Sequence, residues 1–350
     1  MARALVLARR GWGHVAPNPM VGAVIVRNGD LVGEGAHRRF GEQHAEVEAL
    51  AAAGAAARGS TLFVTLEPCT HFGKTPPCAD AIISAGVARV VVAVRDPNPD
   101  ASGGVERLRE AGIEVDIGVL AEEARELNAA FFHAFHSDRP WITLKLAVSL
   151  DGAIADASRR PAWITGPDAR RRVHHMRAGA DAIGAGMGTI LADDPLLTVR
   201  EADPPRVPPL RVIFSRSGRL PLTSRLAQRT HEAPVLVFAN VPDPSYDHAL
   251  RSLGVEVLPA ASLTEAMQVL RARGVQSLLV EGGAALAGSL LDASLVDRLV
   301  LFQAPIILGA GGLPAFGGFR STIAESQRWR RLHSEWIGGD HMMVLAPESA

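Results

Sequence analysis

The stretch Leu66–Ala81, LEPCTHFGKTPPCADA, holds both cysteines of a 350-residue chain, Cys69 and Cys78. Each follows a proline, and the eight residues THFGKTPP separate them. Two lone cysteines this close admit three readings: a disulfide, a metal site, or ordinary buried thiols in a proline-rich loop. A secreted disulfide scaffold carries many more cysteines. The apolar part of the N-terminal MARALVLARRGWG is too short for a signal peptide and is closed by Arg9 and Arg10. No apolar run reaches the ~18 residues that span a bilayer. The expected compartment is the cytoplasm, without membrane association, where thiols stay reduced. That leaves a metal site as the leading reading.

The next donor is found in QHAEVEAL (Gln43–Leu50). The alanine-rich run His44–Ala57 predicts a helix, and His44 and Glu46 stand two apart at its start. Residues at i and i+2 point in different directions, so one can bind an ion while the other faces a water on it. Catalytic zinc takes three protein ligands and keeps the fourth position for water. His44, Cys69 and Cys78 make three, and zinc lowers the pKa of such a water toward ~7. Glu46 is then the proton shuttle between water and a leaving amine. Zinc deaminases as a class carry H-x-E followed by P-C-x-x-C, with the glutamate as acid/base and not as ligand. Here the cysteines are separated by eight residues instead of two. The competing readings are a helix-cap histidine with two buried thiols, or a structural zinc site completed by His71.

Along the first third, strand-like and helix-like segments alternate: VGAVIV, the His44 helix, TLFVTL, a helix Cys78–Ala85 opening after two prolines, ARVVVAV, GVERLREAG and IEVDIG. A helix over Glu122–His136 leads out, and SDRP (Ser137–Pro140) is the expected boundary between domains 1–138 and 139–350. The second series runs WITLKLAV, a helix around Asp168–Ala178, DAIGAG, LRVIF, APVLVFA, GVEVLP, a helix Leu263–Arg273, QSLLVEGG, a helix Ala284–Asp292 and DRLVLFQAP. Strands alternating with helices predict a mostly parallel sheet, so both halves are α/β.

The motifs PNPMVGAVIV, HAEVEAL, VTLEPCTHFGKTPPC, RDPNP, LKLAVSLDG, WITG, LADDPLLTVR and VEGG occur in this order across the chain. In them the sequence resembles the bifunctional riboflavin-biosynthesis deaminase/reductase family, RibD or RibG, in which the long cysteine insert is itself typical. The resemblance implies a cytidine-deaminase-like three-layer α/β/α domain followed by a dihydrofolate-reductase-like α/β domain. It implies hydrolysis of the 2-amino group of 2,5-diamino-6-(5-phosphoribosylamino)pyrimidin-4-one, then NADPH-dependent reduction of the ribosyl group to ribityl. Zn2+ would be held by His44, Cys69 and Cys78, with Glu46 as shuttle. Asn18, His37, Lys74, Asp96 and Asn98 fall where the family contacts the deaminase substrate. Without the resemblance, APNPM and DPNPD read as turn punctuation.

In the second half, Gly184–Thr189 (GAGMGT) follows a strand but lacks the last glycine of a dinucleotide loop. VEGG ends a strand before a helix, where backbone N–H groups can meet a pyrophosphate. The resemblance puts Val148, Trp163, Thr189, Asp193 and Gly283, Ala284, Ala285, Leu286, Ala287, Gly288 and Ser289 at cofactor positions. It puts Arg177, Leu197, Arg200 and Glu281 at substrate positions, the arginines suiting a phosphate. Lys145 and Asp151 lie nearby as support; a lysine in so apolar a strand calls for a charge partner or a role in the site. Two residues depart from the family pattern: Pro161 stands where a substrate-contacting serine is usual, and Ser215 where an aspartate is usual. They raise the possibility of an active deaminase with an impaired reductase. Two further readings compete: a nucleic-acid-editing deaminase with an accessory domain, and a non-enzymatic zinc module. Lys and Arg total 36 against 37 Asp and Glu, and aromatics are 5%. That balance argues against nucleic acid as the partner; the resemblance implies a small phosphorylated pyrimidine instead, and a homo-oligomer is expected.

Overall fold

A computed structural model describes residues 1–71 and 76–348. The chain divides into two compact units, Met1–Ser137 and Asp138–Ala350.

The first unit opens with α1 (Ala2–Ala8), the hairpin β1 (Gly22–Arg27) and β2 (Asp30–Ala36), and α2 (Ala45–Ala53). It continues through β3 (Thr61–Val64), α3 (Cys78–Ala85), β4 (Arg89–Val92), α4 (Gly104–Glu110) and β5 (Glu114–Ile117). It closes with α5 (Ala121–Leu127) and α6 (Ala129–His133). The expected single helix Glu122–His136 is thus two, broken at Asn128, whose side chain instead accepts from Met20 N and donates to Met20 O. The sheet order is β2-β1-β3-β4-β5, with β1 antiparallel to both neighbours and β3, β4 and β5 parallel. The sequence pattern does not reveal the hairpin partner β2; it is glycine-containing and exposed at its start, so alternation is weak.

Helices cover both faces. Ala23, Ile25, Leu62, Val64, Val90 and Val92 pack against Ala45, Ala49 and Ala53 of α2, Ile82 of α3 and Leu108 of α4. On the opposite face Val24 and Phe63 meet Ala4 and Leu7 of α1. The α2 contact is unusually close. A Cβ on Gly35 would lie 2.0 Å from Ala45 O, and one on Gly33 would lie 2.3 Å from Ala49 O. These two glycines and the alanine face of α2 let helix backbone rest on strand backbone, and so fix the start of α2.

The second unit is built on a nine-stranded sheet. Its elements run β6 (Trp141–Val148), β7 (Ala153–Ala155), α7 (Pro167–Ala178), β8 (Ala182–Gly186), α8 (Met187–Asp193), β9 (Leu210–Ser215), α9 (Arg225–Gln228) and β10 (Val235–Ala239). They continue with α10 (Pro244–Ser252), β11 (Val255–Pro259), α11 (Leu263–Ala272), β12 (Ser277–Glu281), α12 (Ala284–Asp292) and β13 (Arg298–Gln303). A short β14 (Leu313–Pro314) pairs with β7, and β15 (Trp329–Ile337) and β16 (Asp340–Pro347) end the chain. The order is β11-β10-β9-β8-β12-β6-β13-β16-β15. It is parallel from β11 to β13, as the alternation of elements predicts, and antiparallel through the terminal hairpin. One face carries α11 and α12 on the side chains of Leu144, Leu146, Leu278 and Val280. The other carries α7 against Val300 and Phe302, and α8, α9 and α10 against Ile183, Ile213 and Val237. No helix among the described residues is long and apolar enough to cross a membrane.

Substituting Gly35→Ala forces a Cβ into the Ala45 carbonyl. We expect it to destabilise the first unit by about 1–3 kcal/mol, as overpacking does, seen as a lower urea midpoint with the m-value unchanged. An unchanged midpoint would mean that the helix can lift without cost.

Candidate metal centre and reductase cleft

Two helix starts and one loop form the metal centre. His44 is the residue just before α2, Cys78 is the first residue of α3, and Cys69 lies five residues beyond the end of β3. Their donor atoms all lie within 4.8 Å of one another, the only such group of three among the described residues. His44 Nδ1 is 3.2 Å from Cys78 Sγ and 3.6 Å from Cys69 Sγ. Both cysteines are free and buried, so the disulfide reading fails. His71 is exposed and is not part of the group. The Cys78 backbone N–H donates to Cys69 Sγ at 3.4 Å, and Ala79 N–H donates to Cys69 O at 3.2 Å. The first turn of α3 thereby clamps the loop that carries the other thiol.

The electrostatics are those of a site arranged for a cation. A hydrogen bond from Cys78, aided by His44, holds the Cys69 thiol down at about 4, against the opposing effect of burial. Cys78 is pushed up in turn, because its proton is shared with the Cys69 thiolate and because it is buried. His44 is raised by its bond to Cys69. Two sulfurs and an imidazole nitrogen are the donor set zinc takes, and three protein ligands leave a position for water. The residues therefore fit the metal. Glu46, 3% exposed, is pushed up to about 7 by burial, which outweighs the attraction of His44.

Asn18 Nδ2 lies 3.2 Å from His37 Nε2, whose Nδ1 is 3.1 Å from Gln43 O, and the His37 ring sits edge-on to His44 at 5.3 Å. His37 thus borders the metal centre directly, and Asn18 adjoins it through His37. Asp96 Oδ1 accepts the Asn98 N–H at 2.8 Å and Asn98 Oδ1 the Asp100 N–H at 3.1 Å, so both side chains also serve as turn caps. Burial pushes the Asp96 carboxyl up to about 6. Lys74 lies outside the described residues.

One residue that the motifs did not single out organises this loop. Glu67, with a side chain 1% exposed, accepts N–H groups from Asp96 at 3.2 Å, Gly103 at 3.1 Å and Val105 at 3.0 Å. It ties the segment before Cys69 to the Asp96 loop and to the start of α4. Gly104 lets them close up, since a Cβ there would lie 1.8 Å from Pro68 O. The signal was present in the sequence: a carboxylate ending an apolar strand needs donors.

In the second unit Val148, Glu281 and the turn at Gly283 lie at the carboxyl ends of parallel strands. Glu281 ends β12 and is opposite Lys145 on β6. Arg177 of α7 grips it with Nε to Oε1 at 2.5 Å and Nη2 to Oε2 at 2.9 Å, and donates Nη1 to Thr198 O at 2.9 Å. Burial pushes the Glu281 carboxyl up, but Arg177 and then Lys145 outweigh it and hold it below its ordinary value. Burial lowers Lys145, partly offset by Glu281, and its ammonium sits 5.6 Å from the centre of the Phe302 ring. The Arg177 guanidinium is thus bonded to Glu281 and to the Thr198 carbonyl. Arg200 is freer: its Nη1 donates to Thr198 Oγ1 at 3.0 Å, and its side chain is exposed. Leu197 is buried with φ +51.

Gly283 is the cap of α12, which has no side-chain cap, and a Cβ on it would lie 3.1 Å from Thr189 Oγ1. On α12, Gly288 lets the helix approach Gly317, where a Cβ would meet its carbonyl at 2.3 Å. An uncapped helix start beyond a parallel strand, beside another strand–helix turn, suits a dinucleotide pyrophosphate. Ala284, Leu286 and Ala287 pack into the core, whereas Ala285 is exposed and Ser289 bonds Ala285 O. Val148 is buried at the end of β6, Asp193 is exposed at the end of α8, and Trp163 is 78% exposed under the Arg170 guanidinium at 4.9 Å. Asp151 accepts from Ser149 Oγ, Leu308 N and Gly309 N, which hold it down at about 2. It fastens the loop after β13. Pro161 is exposed. Ser215 Oγ accepts the Gly218 N–H at 3.0 Å and so still caps the turn after β9.

Comparison with known proteins covers the whole chain. The family described as RibD C-terminal domain matches residues 140–343, and the cytidine and deoxycytidylate deaminase zinc-binding region matches residues 1–94. The chain is 46% identical to the riboflavin biosynthesis protein RibD of Aquifex aeolicus, over 97% of this chain and 95% of that one. The Escherichia coli protein of the same name is 43% identical, over 99% and 98%. Among solved structures, Acinetobacter baumannii RibD superimposes with a TM-score of 0.87 at 39% identity, covering 99% of this chain and 98% of that one.

Replacing Glu67 by Ala strands three N–H groups, that of Val105 buried and those of Asp96 and Gly103 half-buried. We expect a loss on the order of 3 kcal/mol of unfolding free energy, read by denaturant titration, with Glu67→Gln losing less because it keeps one acceptor oxygen.

Proposed function

The chain belongs to the RibD family of bifunctional riboflavin-biosynthesis deaminases/reductases, and from that premise we propose how its own residues divide the work. The relative from Thermotoga maritima, 38% identical over 99% of this chain with a TM-score of 0.86, is a diaminohydroxyphosphoribosylaminopyrimidine deaminase/5-amino-6-(5-phosphoribosylamino)uracil reductase. We take the same two reactions for this chain, on 2,5-diamino-6-(5-phosphoribosylamino)pyrimidin-4-one and its deaminated product. The observation that carries the deaminase assignment is the convergence of His44, Cys69 and Cys78 beside a buried Glu46.

Zinc, when bound, supplies a Lewis acid that activates water near neutral pH. Cys69, Cys78 and His44 hold it. Glu46 takes a proton at its carboxylate oxygen and returns it to the departing amine, and a carboxyl near pH 7 suits both directions. Asn18 and His37 lie on one side of the centre and Asp96 and Asn98 on the loop tied to Glu67, so they are the groups to orient the pyrimidine. Lys74 belongs to this reading as a phosphate contact.

NADPH, when bound, supplies the hydride. The turn into α12, with Thr189 beside it, would hold the pyrophosphate, and Val148, Trp163 and Asp193 would be the further cofactor contacts. Arg200 meets the substrate phosphate. Arg177 holds Glu281 and the Thr198 carbonyl, while Lys145 stands opposite Glu281 on the neighbouring strand. Domains 1–138 and 139–350 carry the two activities. The protein is read as a cytoplasmic homo-oligomer whose partner is this small molecule and not nucleic acid, in keeping with a formal charge of -1.

Glu46→Gln is expected to abolish release of ammonia, by a factor of about 10² or more, while metal analysis still finds zinc. Supplied with the already deaminated intermediate, the same variant should consume NADPH at the unmodified rate. Ammonia release by this variant would remove Glu46 from the mechanism. NADPH left unconsumed by the unmodified protein would point to Pro161 and Ser215 as having impaired the reductase.

A further inference from the structure

The segment Leu196–Arg200 carries Arg200, yet it belongs to no helix or strand. Its backbone is held instead by buried side chains. At one end Leu196 O accepts from Arg211 at 3.3 Å, a guanidinium 0% exposed on β9. In the middle Thr198 O accepts from Arg177. At the other end the Arg200 N–H donates to Nδ1 of His174 at 3.2 Å, a histidine 6% exposed on α7. His174 and Arg177 stand three apart on one helix, so they share a face. One accepts from the segment and the other donates to it.

We propose that His174 is a positioning residue of the reductase site: its neutral imidazole fixes the backbone of Arg200, and its protonation releases that backbone and weakens binding of the substrate phosphate. This rests on the reading of Arg200 as the phosphate-binding group. A ring nitrogen that accepts from an N–H carries no proton, so Nδ1 must be bare and the proton must sit on Nε2. Adding a proton to Nδ1 sets two donors face to face. It also places a third cation next to Arg177 on the same helix and Arg200 on the segment. The anions facing His174 are Glu201, just beyond the segment, and Glu281 on β12, the latter already gripped by Arg177. Burial, then Arg177 and Arg200, lower the imidazole below its ordinary value, outweighing the two carboxylates. His174 is neutral at pH 7.5, and the release falls on the acid side of ~6.5.

Asn and Phe substitutions separate this role from simple packing. The amide oxygen of Asn stands near the place of Nδ1, accepts a hydrogen bond and does not titrate; Phe fills the space without an acceptor. The full-length protein is assayed for reduction of the deaminated intermediate, and deuterium uptake is followed at the 197–201 backbone. At pH 7.5, His174→Phe should raise KM for the intermediate ~10-fold with kcat altered far less, the equivalent of one lost hydrogen bond. Uptake at 197–201 should quicken. His174→Asn should restore both. The substrate phosphate itself titrates near ~6 and gives every variant an acid limb in KM. The unmodified protein should show a further rise of ~3-fold or more between pH 7.5 and 5.5 that His174→Asn lacks.

Uptake unchanged in His174→Phe would overturn the proposal whatever Arg200 binds. Faster uptake with an unchanged KM would instead remove Arg200 from phosphate binding, and the positioning role with it. Identical acid limbs in the unmodified and Asn proteins would overturn the pH dependence. Should His174→Phe not fold, the comparison of the unmodified and Asn pH profiles decides alone.

Discussion

A carboxylate removed from water must be met by donors, and that constraint shapes both sites. Glu67 draws three backbone N–H groups from the Asp96 loop and the start of α4 onto the end of β3. The chain that leaves Glu67 reaches Cys69 two residues later, so the thiol's position follows from the carboxylate's. In the second unit Glu281 is met by the Arg177 fork and faces Lys145 across β6 and β12. Arg177 then reaches Thr198 O and sets the path of the segment bearing Arg200. Losing either carboxylate exposes donors, or an arginine, to an interior without partners, which costs more than the bonds themselves.

The metal centre adds a second use of helix starts. His44 and Cys78 each stand where a helix begins, and unpaired N–H groups there favour negative charge. That arrangement accounts for a low Cys69 thiol without any metal, through the Cys78 side chain and backbone N–H. It also explains why a long insert between the cysteines is tolerated. Cys78 is placed by α3 and Cys69 by β3 and Glu67, so their separation in space does not depend on the number of residues between them. The seat of α2 comes from Gly33 and Gly35, which bring its backbone down onto β2.

The two departures from the family pattern have different structural weight. Ser215 still accepts the Gly218 N–H, so the turn after β9 keeps its acceptor without a carboxylate. Pro161 is exposed and takes no part in the Arg177–Glu281 pair. Neither residue is among the hydrogen-bond partners of the buried cations that organise the Leu196–Arg200 segment.

Much was legible in the sequence. The strand–helix alternation gives α/β architecture in both halves, because periodicity records which face is buried. The H-x-E and cysteine motifs name a metal set, since few residue types bind zinc and only two thiols were present. The PNP, DPNP and VEGG motifs mark where the chain turns. What the sequence could not supply was pairing between distant residues. It gave no partner for Arg177, which the resemblance sets among the substrate positions, whereas tertiary structure joins its guanidinium to Glu281, 104 positions away. It offered no reason to notice His174, whose partner lies in another element. The antiparallel β2 and the terminal β15–β16 hairpin also escaped, being glycine-bearing or half-exposed and so without a clear period. Residue types fix which chemistry is available, whereas the partner of a buried charge is settled only when the chain closes around it and water is no longer there to compete.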